Sequence, residues 1–163
     1  MLTPPYALEP VRELLGGIGL DPCTEPDNPT RADKWYSLPA DGCALPWDAP
    51  TVWCNPPYGK ALKAWLNKLA LHGNGIALVF ARTETEAFFG HAWPYASAML
   101  FLRGRLTFAY PDGSLPRNGA NSGGPSVLIG YGDEAERRLL SCEDLGAVVK
   151  RVTTDNVEVQ RRP

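Results

Sequence analysis

The stretch that most constrains this chain is the run Thr51-Val52-Trp53-Cys54-Asn55-Pro56-Pro57-Tyr58-Gly59. Its front half is β-branched and aromatic, the composition that suits a packed, pleated surface, and predicts a buried strand. The two prolines then end the ladder, because neither can donate a backbone hydrogen bond and both fix φ. Asn55 precedes a proline and is therefore held extended. The expectation is a rigid turn at the carboxyl end of a buried strand, where open α/β sheets bind their ligands.

The flanking pattern supplies such a sheet. Gly75-Ile76-Ala77-Leu78-Val79-Phe80 is near-continuously apolar over strand length, the mark of a strand covered on both faces, as in a parallel sheet. Apolar runs at 98–102 and 125–131 predict further strands, and 18–24 a short strand ending in a turn at Asp21-Pro22. Between them, Leu62, Trp65, Leu66 and Leu69 form the stripe of a helix over 60–72, closed by a C-cap at Gly73. A second helix carries Phe88, Phe89 and Trp93 and breaks at Pro94, a short one spans 134–140, and another spans 7–15 behind the capping Thr3-Pro4 segment. Strands alternating with helices argue an α/β fold with right-handed crossovers. At 163 residues the chain fits one domain, 1–163, with its core over about 3–131 and a peripheral segment at 132–163. Residues 25–48 and 110–125 are long polar segments rich in turn formers; aromatics in the first, Trp35-Tyr36, either stack on a ligand or tack the loop to the core.

The turn itself offers chemistry. The Asn55 side-chain carbonyl and the Pro56 backbone carbonyl are two acceptors at fixed separation, able to grip a planar amine with two N–H donors. Tyr58 adds a flat face, and stacking on a base contributes roughly 1–3 kcal/mol. The structural alternative is a proline turn capping a strand, with Tyr58 covering the core.

Bulk properties narrow the classes. Apolar content of 44% and charge of 21% exclude wholesale disorder. The net charge of −2 denies the chain an overall basic footprint, so a nucleic-acid partner needs a local patch of Arg and Lys. Four cysteines without metal-ligand spacing and two histidines make a structural zinc site improbable, and no metal is expected; the thiols read as reduced. The opening residues have no basic n-region, and no stretch approaches 18 apolar residues, so a cytoplasmic protein with no membrane partner is expected.

Asn55-Pro56-Pro57-Tyr58 resembles the catalytic motif of amino methyltransferases that use S-adenosylmethionine. The wider order of segments is similar to the phage-type DNA N-6-adenine methyltransferase (Dam) family over roughly residues 3–131. The resemblance implies a single-domain Rossmann-like methyltransferase fold with a mostly parallel sheet, in a prokaryotic host cell. It implies S-adenosylmethionine held by Thr3, Pro4, Asp21, Pro22, Cys23, Asp41 and Asn55, and catalysis by Asn55, Pro56, Pro57 and Tyr58 on the N6 amine of an adenine flipped out of duplex DNA. Arg82 in Ala81-Arg82-Thr83, Arg103 and Arg105 around Gly104, and Arg117 in the 110–125 loop are the implied DNA contacts; the guanidinium fork suits phosphate oxygens. One departure stands out: residues 18–24 contain no Gly-x-Gly, the usual loop beneath the methionine portion of the cofactor. Two rival readings remain open: the same transfer onto an RNA base or a protein glutamine, and a nucleic-acid-binding domain without catalysis.

Overall fold

The protein is described by a computed structural model covering residues 3, 8–9, 12–13, 16–110, 114–116 and 123–151. Seven strands form one sheet: β1 (Leu20–Asp21), β2 (Lys34–Trp35), β3 (Val52–Cys54), β4 (Gly75–Phe80), β5 (Ala98–Leu102), β6 (Ser126–Tyr131) and β7 (Gly146–Lys150). Their order across the sheet is β2-β1-β3-β4-β6-β5-β7. Helix α1 (Leu62–His72) joins β3 to β4, a π-helical segment (Phe88–Ala92) lies between β4 and β5, and α2 (Asp133–Leu140) with a 3₁₀ turn (Glu143–Leu145) leads from β6 to β7.

The sheet is mixed, which corrects the expectation of a mostly parallel one. The ladders β2–β1, β1–β3 and β3–β4 are parallel, whereas β4–β6, β6–β5 and β5–β7 are antiparallel. The directions make physical sense. β1 to β5 all run one way, and β5 delivers the chain to the carboxyl edge of the sheet. A parallel successor needs a crossover, usually a helix, back to the opposite edge. β6 starts at the edge where β5 ends and runs antiparallel between β4 and β5. The apolar residues at 147–149 then complete an edge strand on β5, reached through α2.

The central strands split their side chains between two cores. Trp53, Ile76, Leu78, Leu100 and Leu128 pack on one face with Ala135 and Leu139 of α2. Val52, Cys54, Ala77, Val79, Met99, Val127 and Ile129 pack on the other with Trp65, Leu66 and Leu69 of α1 and Phe88 of the π segment. The result is three layers, helix on sheet on helix. α1 ends as expected: Gly73 turns left-handed at φ 76° and returns its N–H to the Leu69 carbonyl. The expected helix before Pro94 is instead a π turn. Pro94 has no N–H to give the Gly90 carbonyl, and Trp93 closes the segment on Phe88, five residues back, at 2.9 Å. Of the predicted N-terminal helix, residues 8–9 and 12–13 are helical and the remainder lies outside the described residues; Arg12 ties it to the Thr30 carbonyl at 3.1 and 3.2 Å. No helix among the described residues is long and apolar enough to cross a membrane.

Candidate active site

β1 carries β2 on one side and β3 on the other, so the chain order reverses between β1 and β3. The crevice outside the carboxyl ends at such a switch point is where open α/β sheets take ligands. The Pro22-Cys23 turn after β1 and the Asn55-Pro56-Pro57-Tyr58 turn after β3 both open there. They are tied together: the Asn55 backbone N–H reaches the Cys23 sulfur, and Cys23 Sγ lies 3.7 Å from Cys54 Sγ. The Cys54 contact and burial hold the Cys23 thiol protonated.

A cavity of about 630 Å³ fills this crevice. One wall is Pro22, Cys23 and the Asn-Pro-Pro-Tyr turn; the other is the segment from Tyr36 to Gly42, which places Tyr36, Leu38, Pro39 and Asp41 along it, with Glu25 contributing a second carboxylate. That second wall is fastened at several points. Tyr36 N–H bonds the Asp21 carbonyl at 2.9 Å, and the Tyr36 hydroxyl bonds the Pro46 carbonyl at 2.8 Å. Buried Trp47 donates from Nε1 to the Gly42 carbonyl at 2.8 Å. Asp41 accepts from the Cys43 N–H at 3.0 Å. Lys68, outside the apolar stripe of α1, turns inward: its Nζ sits 5.0 Å over the Trp47 ring and donates to the Cys43 and Leu45 carbonyls.

Within the turn, Asn55 Nδ2 donates to the Thr3 hydroxyl at 3.1 Å, and Thr3 is buried. This bond fixes the amide plane and sets its oxygen on the opposite edge. Tyr58 stacks on Phe80 with ring centroids 4.4 Å apart at 14°, and Phe108 meets both rings edge-on at 6.4 Å. The Tyr58 hydroxyl is buried without a hydrogen-bond partner among the described residues, and burial pushes its pKa to about 12. Tyr58 is thus a neutral ring positioned by packing, with one face already given to Phe80.

Asp21 does not line the cavity. It lies beneath it, 2% exposed, and its Oδ1 accepts the Cys23 N–H at 3.1 Å to close the Asx turn that the Asp-Pro sequence predicts. Burial raises its pKa to about 6, against the opposing effect of the Cys23 N–H and the Thr30 and Thr24 hydroxyls. The folded protein therefore holds a proton more tightly than the unfolded chain, whose carboxyl titrates near 3.8. The stability this contributes is fully present below pH 3.8 and is lost as pH rises through about 6. At about 1.4 kcal/mol per pKa unit it is of the order of 3 kcal/mol. Asp21→Asn removes this slope: urea midpoints measured from pH 4 to 7 fall less steeply in the variant than in the wild type, and parallel profiles refute the assignment.

The other expected residues separate. Thr3, Pro22, Cys23, Asp41 and Asn55 to Tyr58 converge on the cavity or its backing. Arg82 lines a second hollow that shares Tyr58 with the first. Arg103 borders a small apolar space beside Trp53 and Leu106, and Arg105 is exposed. Arg82, Arg103 and Arg105 do share the carboxyl edge of the sheet, following β4 and β5. Pro4 and Arg117 lie outside the described residues. Sequence reasoning missed Glu25, Leu38 and Pro39 on the cavity wall and Phe80 behind Tyr58; only the Trp35-Tyr36 pair in a polar loop signalled that wall. Among the described residues no cluster of three or more His, Cys, Asp or Glu could hold a metal ion. In comparisons with known proteins, no family model, no curated protein and no solved structure matches this chain.

Proposed function

We propose that this protein is an S-adenosylmethionine-dependent methyltransferase acting on the N6 amine of adenine in DNA. The observation that carries the reading is the Asn55-Pro56-Pro57-Tyr58 turn standing in the wall of a cavity at the sheet's switch point. Five strands running one way with helices on both faces support a Rossmann-like arrangement beneath it.

The cavity's residues fit the cofactor. Its volume lies within the usual range for small-molecule sites, and its lining is mostly apolar with a few polar groups. Tyr36, Leu38 and Pro39 offer flat and apolar surface for the adenine, and Glu25 and Asp41 offer carboxylate acceptors for hydroxyl and ammonium groups. The compact Asp21-Pro22-Cys23 turn stands where a Gly-x-Gly loop is usual. When bound, S-adenosylmethionine supplies an electrophilic methyl group on a sulfonium.

The chain's own contribution is positioning. Asn55 Oδ1 and the Pro56 carbonyl accept the two amine hydrogens of the target, which draws the nitrogen lone pair out of ring conjugation. Pro56 and Pro57 keep the two acceptors at one separation, and Thr3 keeps the Asn55 amide from rotating. Tyr58, backed by Phe80, holds the base plane. The methylated amine is strongly acidic and releases its proton to solvent, so no buried base is required. Flipping the adenine costs a few kcal/mol.

Two observations favour other readings. The net charge of −2 suits the same transfer onto a protein glutamine, and the missing Gly-x-Gly suits a nucleic-acid-binding domain without catalysis. Calorimetric titration with S-adenosylmethionine, followed by labelled transfer to DNA, RNA and cell protein, separates all three. Heat of binding and label on adenine are the expected results; no heat and no thermal shift reject the reading.

Tyr58 gives a finer test. Tyr58→Phe keeps the stack on Phe80 and removes a buried hydroxyl that lacks a partner among the described residues, a group whose burial costs about 1–3 kcal/mol. The variant retains transfer and melts at or above the wild-type temperature, while Tyr58→Ala loses transfer by about 10-fold or more, the value of one stacked base. Equal losses in both variants exclude stacking as the role.

A further inference from the structure

A second hollow, of about 420 Å³, opens on the other side of the catalytic turn and shares Tyr58 with the first. Its floor is the Tyr58–Phe80 ring pair, and its rim carries Lys60, Lys63 and Arg82, all exposed, against the single carboxylate of Glu86. Three cations to one anion is a local excess in a chain whose net charge is −2. The Arg82 guanidinium lies 5.9 Å from the Phe80 ring, and among the described residues no carboxylate pairs with it. Lys63 bonds Glu86 at 2.6 Å, but both side chains are more than half exposed, and such a pair is screened and readily displaced.

We propose that this hollow binds the phosphodiester backbone of unpaired DNA beside the target nucleotide. Cations beside an aromatic that takes a base face are the features of single-strand binding: the guanidinium and ammonium groups track phosphates, and Tyr58 takes the face of the flipped base. The shared Tyr58 places this strand next to the amine-gripping turn, so one flipped nucleotide reaches Asn55 while its neighbour stays on the rim. The inference rests on the methyltransferase reading for the identity of the polymer, and on the hollow alone for its location.

The test uses the whole protein and a short fluorescein-labelled single-stranded DNA, followed by anisotropy across a salt series. The expected result is that the triple variant Lys60→Gln/Lys63→Gln/Arg82→Gln binds at least about tenfold more weakly, with a salt slope smaller by about 2, since each lost phosphate contact on a single strand removes about 0.7. Glu86→Gln, which removes the competing carboxylate, binds more tightly. Heat of S-adenosylmethionine binding stays at the wild-type value in both variants, which reports an intact fold and an intact first cavity. Three results overturn the proposal: no DNA binding by the wild type, wild-type affinity and slope in the triple variant, or tighter binding of RNA of the same sequence. Loss of methyl transfer with rim-dependent DNA binding retained counts against the proposed activity alone. Transfer retained while DNA binding ignores the rim counts against this inference alone.

Discussion

If the proposed function holds, Asn55→Ala is expected to slow methyl transfer by about 10²–10³-fold while leaving the fold and cofactor binding in place. The turn is held open by the two prolines and by the Cys23–Cys54 contact, none of which depends on the Asn55 side chain. What the substitution removes is one of the two proposed acceptors for the amine and the hydrogen bond from Nδ2 to Thr3. The second loss affects stability by about 1 kcal/mol, the net worth of one ordinary hydrogen bond. The first removes an interaction that strengthens as charge develops on the amine nitrogen. Deleting one such preorganised polar group from an enzyme costs about 10²–10³ in rate. Single-turnover transfer of labelled methyl from saturating cofactor reads the chemical step directly. A rate within threefold of the wild type rejects Asn55 as the amine acceptor, whatever its effect on stability.

The parts of this fold that were legible in the sequence are those in which one segment's own pattern settles its state. Gly75 to Phe80 reads as a doubly covered strand, and it is one, with alternate residues feeding the two cores. The stripe of Trp65, Leu66 and Leu69 and the glycine at 73 locate α1 to within two residues. The illegible parts are those decided by pairing. β2 consists of exposed Lys34 and Trp35, with no apolar alternation, and is a strand only because its backbone meets Leu20 and Asp21. The reversal of β6 is set by which sheet edge the chain re-enters, which leaves no trace in Ser126 to Tyr131 themselves. The site divides in the same way. Asn55 to Tyr58 announces itself because proline chemistry is local. The opposing wall is assembled by carbonyl anchors from Trp47 and Lys68, and Phe80 stands behind Tyr58 because β3 and β4 are neighbours. Asp21 is the case in between: the Asp-Pro pair predicts its turn, but its burial is a property of the sheet.

That opposing wall can be displaced by one methyl group at Gly42. A Cβ built on Gly42 falls 1.8 Å from the Pro22 carbonyl oxygen, 2.9 Å from its carbon and 3.2 Å from the Tyr36 Cβ. The first two contacts are backbone, so no side chain can swing aside. Pro22 is held by the Asx turn of Asp21, and Gly42 by Trp47 Nε1 on its carbonyl, with Lys68 pinning the carbonyls that follow. Overpacking between two held segments costs about 1–3 kcal/mol. For a domain of this size that lowers the melting temperature by about 2–12 °C. Relief requires the two walls of the 630 Å³ cavity to part by more than 1 Å, since Cβ contacts under 3.0 Å do not persist. Gly42→Ala is therefore expected to weaken S-adenosylmethionine binding by about tenfold or more, equivalent to about 1.4 kcal/mol, by calorimetric titration. Gly90→Ala is the matched control: nothing lies within 4 Å of the added carbon, and the residue is an exposed position of the π segment. It is expected to leave binding unchanged and to hold or raise the melting temperature, because alanine loses less backbone entropy on folding than glycine. Equal behaviour of the two variants would show that the Gly42 segment gives way freely and that the close approach to Pro22 does not shape the cavity.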